Sequence, residues 1–77
     1  MSIDFASMLT DDQKRQLLES RIQQFAAEAY QHSLNLKVAE SSESESQIEA
    51  SEKALAILED AIRVHQEELA TLPTETA

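Results

Sequence analysis

The chain has 77 residues, a formal net charge of −9, one proline, no glycine and no cysteine. A chain of this length supports one domain with a modest core, which small proteins often complete by oligomerising or by binding a partner. The lack of cysteine excludes a disulfide framework and a thiolate metal site. Abundant Ala, Leu, Glu, Gln and Lys without glycine favour helices over sheets, so the composition predicts an all-α protein.

The opening segment "MSIDFASMLT" has neither a basic leader region nor a long apolar run. No stretch approaches the roughly 20 apolar residues of a membrane span. A cytoplasmic protein without membrane contact is therefore expected. Ile3, Phe5, Met8 and Leu9 are too apolar for a free tail. Residues 1–10 are predicted to fold over Leu17, Leu18, Leu69 and Leu72.

The first helix starts at "LTDDQK", where Thr10 can cap the following turn and Gln13 can reach back as in a capping box. Asp11 and Asp12 suit the positive end of a helix. No breaker follows, and the spacing predicts a helix over about 11–40. The tract "SSESES" at 41–46 follows, where serine hydroxyls favour caps over helix interiors. Two capping boxes are available, Ser44 with Gln47 and Ser46 with Glu49, so a second helix is predicted over about 45–72, ending before Pro73. Residues 73–77 are expected to be a disordered tail.

Leu18, Ile22, Phe25, Ala29, His32, Leu36 and Ala39 step by four and three, the spacing of a coiled-coil seam. Ile48, Ser51, Leu55, Leu58, Ile62, His65, Leu69 and Leu72 repeat it, out of phase with the first set. Pairing Leu18 with Leu69, Phe25 with Ile62 and Ala39 with Ile48 gives residue numbers that add to 87 each time, centred within "SSESES". The polar tract is thus predicted to be the turn of an antiparallel helical hairpin.

Each helix carries a second apolar stripe: Ala27, Tyr30, Leu34 and Val38 on the first, and Ala50, Ala54, Ile57, Ala61 and Val64 on the second. A solitary hairpin needs only one stripe per helix, and continuous exposed apolar patches mark interfaces. Three outcomes fit. Two hairpins can pack into a four-helix bundle as a homodimer, the stripes can dock onto another protein, or the N-terminal segment can cover them in a monomer.

The charge is uneven: residues 1–40 carry six acids and four bases, and residues 41–77 carry nine acids and two bases. Glu49, Glu52, Glu59, Asp60, Glu67 and Glu68 give the second helix an acidic face that disfavours direct nucleic-acid binding and attracts a basic protein partner. Glu59 and Arg63 have the spacing of a surface ion pair. Lys14, Arg15 and Arg21 are expected to pair with acids of the second helix. His32 and His65 lie about ten residues apart along the hairpin, roughly 15 Å, too far to share a metal, and are expected as seam histidines. No nucleophile with a base, phosphate loop or zinc spacing occurs; neither an enzyme nor a cofactor is expected.

The run "LTDDQKRQLLESRIQQFAAEAYQHSLN" resembles the opening of small all-helical accessory proteins encoded by bacteriophages of actinobacteria. The resemblance covers the first helix and its cap and carries over no functional residue. It implies action by binding a host or phage protein. The pattern as a whole predicts a small acidic protein-binding hairpin of adaptor or inhibitor type. An acidic mimic of nucleic acid and a purely structural dimeric scaffold or chaperone subunit are the alternatives.

Overall fold

The computed structural model describes residues 3–73. Within that span the chain is a single 3₁₀ turn at Ala6–Met8 followed by two α-helices, α1 over Asp11–Ser41 and α2 over Glu45–Thr71. The helices pack against each other as an antiparallel hairpin. Of the anticipated tail only Pro73 is described; residues 74–77 lie outside the described span.

The start of α1 is built as its sequence predicts. Gln13 N–H donates to Thr10 Oγ1 at 3.1 Å, and Thr10 N–H donates to Gln13 Oε1 at 2.9 Å, so two backbone donors that the helix leaves orphaned are satisfied reciprocally. Asp11 and Asp12 occupy the first turn, where the helix dipole favours negative charge.

The start of α2 differs from expectation. Ser44 is its N-cap residue but makes no side-chain capping bond, and Ser46 lies inside the helix. Neither anticipated capping box forms. The reason lies in how α1 ends. Ser44 N–H donates to Ala39 O at 3.0 Å and Glu43 N–H donates to Glu40 O at 3.2 Å, the two reverse bonds of a Schellman motif. Such a motif requires a left-handed residue between them, and Glu43 supplies it with φ 56°. Ser42 Oγ adds a bond to Val38 O at 2.9 Å. The turn is thus organised by the closing of α1 rather than by a side-chain cap on α2.

The seam is where the sequence puts it. Among the described residues the buried ones are Ala39, Ser51 and Leu58, all seam positions, and every other seam side chain is half-buried. Ala39 and Ser51 are small and sit near the turn, where a close helix approach leaves no room for larger groups. Register is fixed further along by Arg21, whose Nε donates to His65 Nε2 at 2.9 Å, and by Arg15, whose Nη2 donates to Pro73 O at 2.7 Å. Both contacts agree with the pairing of Leu18 with Leu69 and Ile22 with His65.

The molecule is a single layer of helices, 51 × 37 × 14 Å. Its radius of gyration is 17.0 Å, against about 11.5 Å for a compact domain of this length.

Candidate protein-interaction surface

Written as heptads with the seam at a and d, Ile22 of α1 and Ile48 of α2 are both a positions. In an antiparallel pair the g and c positions of both helices flank the seam on one side, and the e positions flank it on the other. The surface hollows follow this division. One is lined by Asn35, Val38, Gln47 and Ala50, all g or c; another, on the opposite side, includes Asp12 and Glu19 at e. The hairpin therefore has two broad faces of different character.

The g side carries the second stripe of α2. Ala54 and Ala61 fall at g, about a right angle round the helix from the seam at about 100° per residue, and Ala50, Ile57 and Val64 at c, about 130° round. Ile57 is 68% exposed and Val64 53%; Ala54 and Ala61 are half-buried beside α1. Val38 joins this face through the hollow it shares with Ala50.

The rest of the α1 stripe does not. Ala27 and Leu34 are f positions and Tyr30 is b, so they lie on the side of α1 turned away from the seam, where Tyr30 is 66% exposed. Apolar residues on opposite sides of α1 cancel, leaving it almost no net amphipathic direction, whereas α2 has a distinct one. The nine stripe residues thus form two surfaces: a face of α2 with Val38, and an outer strip of α1.

At the open end of the g side, Phe5, Ala6 and Leu9 line an apolar hollow of about 430 Å³ with Leu17, Leu18 and Leu72. The N-terminal segment borders the hollow and keeps Ile3, Phe5 and Met8 exposed. Its 3₁₀ turn is held by Met8 N–H to Phe5 O at 3.1 Å and Ser7 Oγ to Asp4 O at 3.0 Å.

The e side is acidic at six of its nine e positions, Asp12, Glu19, Glu40, Glu45, Glu52 and Glu59, all exposed; Ala26, Ser33 and Gln66 hold the other three. Of the acidic residues singled out in α2, only Glu52 and Glu59 belong here. Glu49, Asp60 and Glu67 lie on the outer edge and Glu68 beside the open-end hollow, so the α2 carboxylates do not share one face.

The arginines are engaged within the hairpin. Arg63 pairs with Asp60 at 3.1 Å and with Glu67 at 3.6 Å rather than with Glu59. The hydrogen bond that Arg63 donates to Asp60, followed by the charge of Glu67, raises the Arg63 pKa above its ordinary value. Arg15 pairs with Asp12 of its own helix at 3.7 Å, and Arg21 turns to His65 and to the Phe25 ring, 5.2 Å from guanidinium carbon to centroid. Neither arginine reaches an acid of α2. Both were expected to do so; a one-turn reach to Asp12 and an uncharged acceptor on the facing seam are nearer.

Among the described residues no three His, Asp or Glu side chains converge as a metal would need, and no helix is long and apolar enough to cross a membrane. Compared with protein-family models, curated proteins and solved structures, the chain matches none.

Proposed function

We propose that this is a non-catalytic binding protein, a small acidic helical hairpin that acts by docking onto another protein as an adaptor or inhibitor. One observation carries this reading: the hairpin leaves far more surface open than a folded monomer should. It exposes 6198 Å², whereas surface scaling gives about 4,700 Å² for a chain of this mass, an excess of about 1,500 Å². Large apolar side chains are part of what is exposed, among them Phe5, Tyr30, Leu34, Ile57 and Val64, and exposed apolar patches such as the α2 face are characteristic of interfaces.

The acidic e side supports a basic partner, which it would steer during approach. It gives less support to mimicry of nucleic acid. Carboxylates at e are at least seven residues apart, about 10.5 Å along the helix, and Ala26 and Ser33 interrupt them on α1, which is far sparser than the one charge per roughly 3.4 Å of a nucleic-acid strand. Action as a phage or bacterial accessory factor in the cytoplasm rests on the resemblance of the first helix.

The test is capture from bacterial lysate at low and high salt, with three baits: the natural chain, a Glu45→Lys/Glu52→Lys/Glu59→Lys variant and a Tyr30→Glu/Leu34→Glu variant. A protein retained by the natural chain and lost with either variant supports docking. Identical captures by all three baits would exclude it.

A further inference from the structure

We propose that two copies of the chain associate through α2, antiparallel, in one register that sets Ala54 against Ile57 of the second copy. This rests on the reading of the uncovered apolar surface as a protein-binding one and commits the g side of α2 to a second copy, leaving the outer strip of α1 for other partners.

Gln47, Ala50, Ala54, Ile57, Ala61 and Val64 form a strip about 27 Å long without a charge. Two chains that each carry −9 repel, so they can approach closely only where neither presents a carboxylate. The strip repeats at steps of four and three, with alanines at Ala50, Ala54 and Ala61 and larger groups at Ile57 and Val64. Small residues opposite larger ones let two helices interdigitate at short range. The α1 half of the same side carries Arg21, Gln24, Glu28, Gln31 and Asn35, which suits a wet polar rim beside an α2-centred contact.

Charge selects the register. Antiparallel helices with a seven-residue pattern can slide only in steps of seven, and the f positions, Lys53, Asp60 and Glu67, flank the strip at every step. With Ala54 against Ile57 of the second copy, Ala50 meets Ala61, Gln47 meets Val64, and Lys53 meets Asp60 twice by symmetry. One step further along, Lys53 meets Glu67 twice, but Asp60 faces its own copy and the carboxylate of Glu68 is set against Ala50. A second step brings Asp60 against Glu67, and one step the other way sets Lys53 against Lys53. Only the chosen register avoids a like-charge pair. Lys53 has no ion-pair partner within its own chain among the described residues, so it is available to a second copy.

The area also fits. The excess of about 1,500 Å² per chain exceeds the roughly 800 Å² that each partner buries in a standard interface, so a dimer can form and still leave apolar surface elsewhere.

Sedimentation velocity of the full chain between about 5 and 500 µM, the range of weak small interfaces, tests the proposal. The expected result is a shift from monomer to dimer mass with concentration, lost in Ile57→Glu. Lys53→Glu and Asp60→Lys should each raise the dimer dissociation constant about tenfold or more, because each reversal turns two attractive pairs repulsive. The double variant Lys53→Asp/Asp60→Lys should restore it. Circular dichroism of each variant confirms that the helices persist. A natural chain that stays monomeric throughout, an Ile57→Glu chain that still dimerises, or a charge swap without rescue would overturn the proposal. Lysate capture lost with Tyr30→Glu/Leu34→Glu, from a chain that stays monomeric, would leave the docking function standing; dimerisation without such capture would leave only the dimer.

Discussion

Arg21 of α1 donates its Nε–H to Nε2 of His65 on α2, 2.9 Å away, and that bond fixes the tautomer of the imidazole. A nitrogen that accepts carries no proton, so the ring proton sits on Nδ1, which lies 2.7 Å from the carbonyl of Ala61 one turn earlier. Both ring nitrogens are satisfied, and Phe25 meets the ring edge-on at 5.0 Å between centroids. Nitrogen-15 correlation spectra of the uncharged imidazole should report the Nδ1–H tautomer for His65; an Nε2–H pattern would contradict the contact. Arg21→Ala removes the bond and the guanidinium over Phe25, and should destabilise the hairpin by about 1 kcal/mol.

The turn carries a correctable cost. Glu43 holds φ 56°, a conformation that glycine adopts without the clash its own Cβ creates. Glu43→Gly should stabilise the fold by about 1 kcal/mol, raising the thermal midpoint by roughly 4–8 °C. A midpoint that stays level or falls would show that the glutamate side chain contributes something the turn geometry does not require.

The two helix starts should respond differently to the same change. Thr10→Ala deletes a capping bond that is formed and should cost about 1 kcal/mol. Ser44→Ala deletes a hydroxyl that caps nothing and should change stability by less than about 0.5 kcal/mol. Chemical denaturation of both variants checks the pair, and equal losses would refute the asymmetry.

Neighbouring residues on α2 separate folding from association. Leu58 is buried on the seam, so Leu58→Ala should cost about 2–3 kcal/mol. Ile57 points to solvent, and Ile57→Ala in dilute protein should stay within about 0.5 kcal/mol of the natural chain. Far-ultraviolet circular dichroism during thermal melts measures both, and a large loss at Ile57 would place it in the folding core.

Much of this fold is legible in the residues, for physical reasons that differ by element. The seam is readable because Leu18, Ile22, Phe25 and their partners repeat at the one spacing that keeps a helix face towards another helix. The turn is readable because only 41–46 breaks that pattern. The left-handed Glu43 is not, since the usual marker is glycine and the chain has none. The serine capping boxes suggested by the sequence do not form because the Schellman bonds of α1 already organise Ser44. The separation of the α1 and α2 stripes was available in the heptad phase: Tyr30 and Leu34 fall at b and f, whereas Ile57 and Val64 fall at c. Exchange of Glu59 for Asp60 and Glu67 at Arg63 depends on rotamers, which spacing alone leaves open.

The 14 Å thickness has a consequence for amide exchange. In a one-layer molecule no peptide group has protein on both its upper and lower sides, so the interior is a line running from Ala39 and Ser51 to Leu58 rather than a volume. Slow-exchanging amides should trace that line in the isolated hairpin. Anything that settles on the g side of α2 would turn part of the line into an area, and residues near Ile57 would be the first to exchange more slowly.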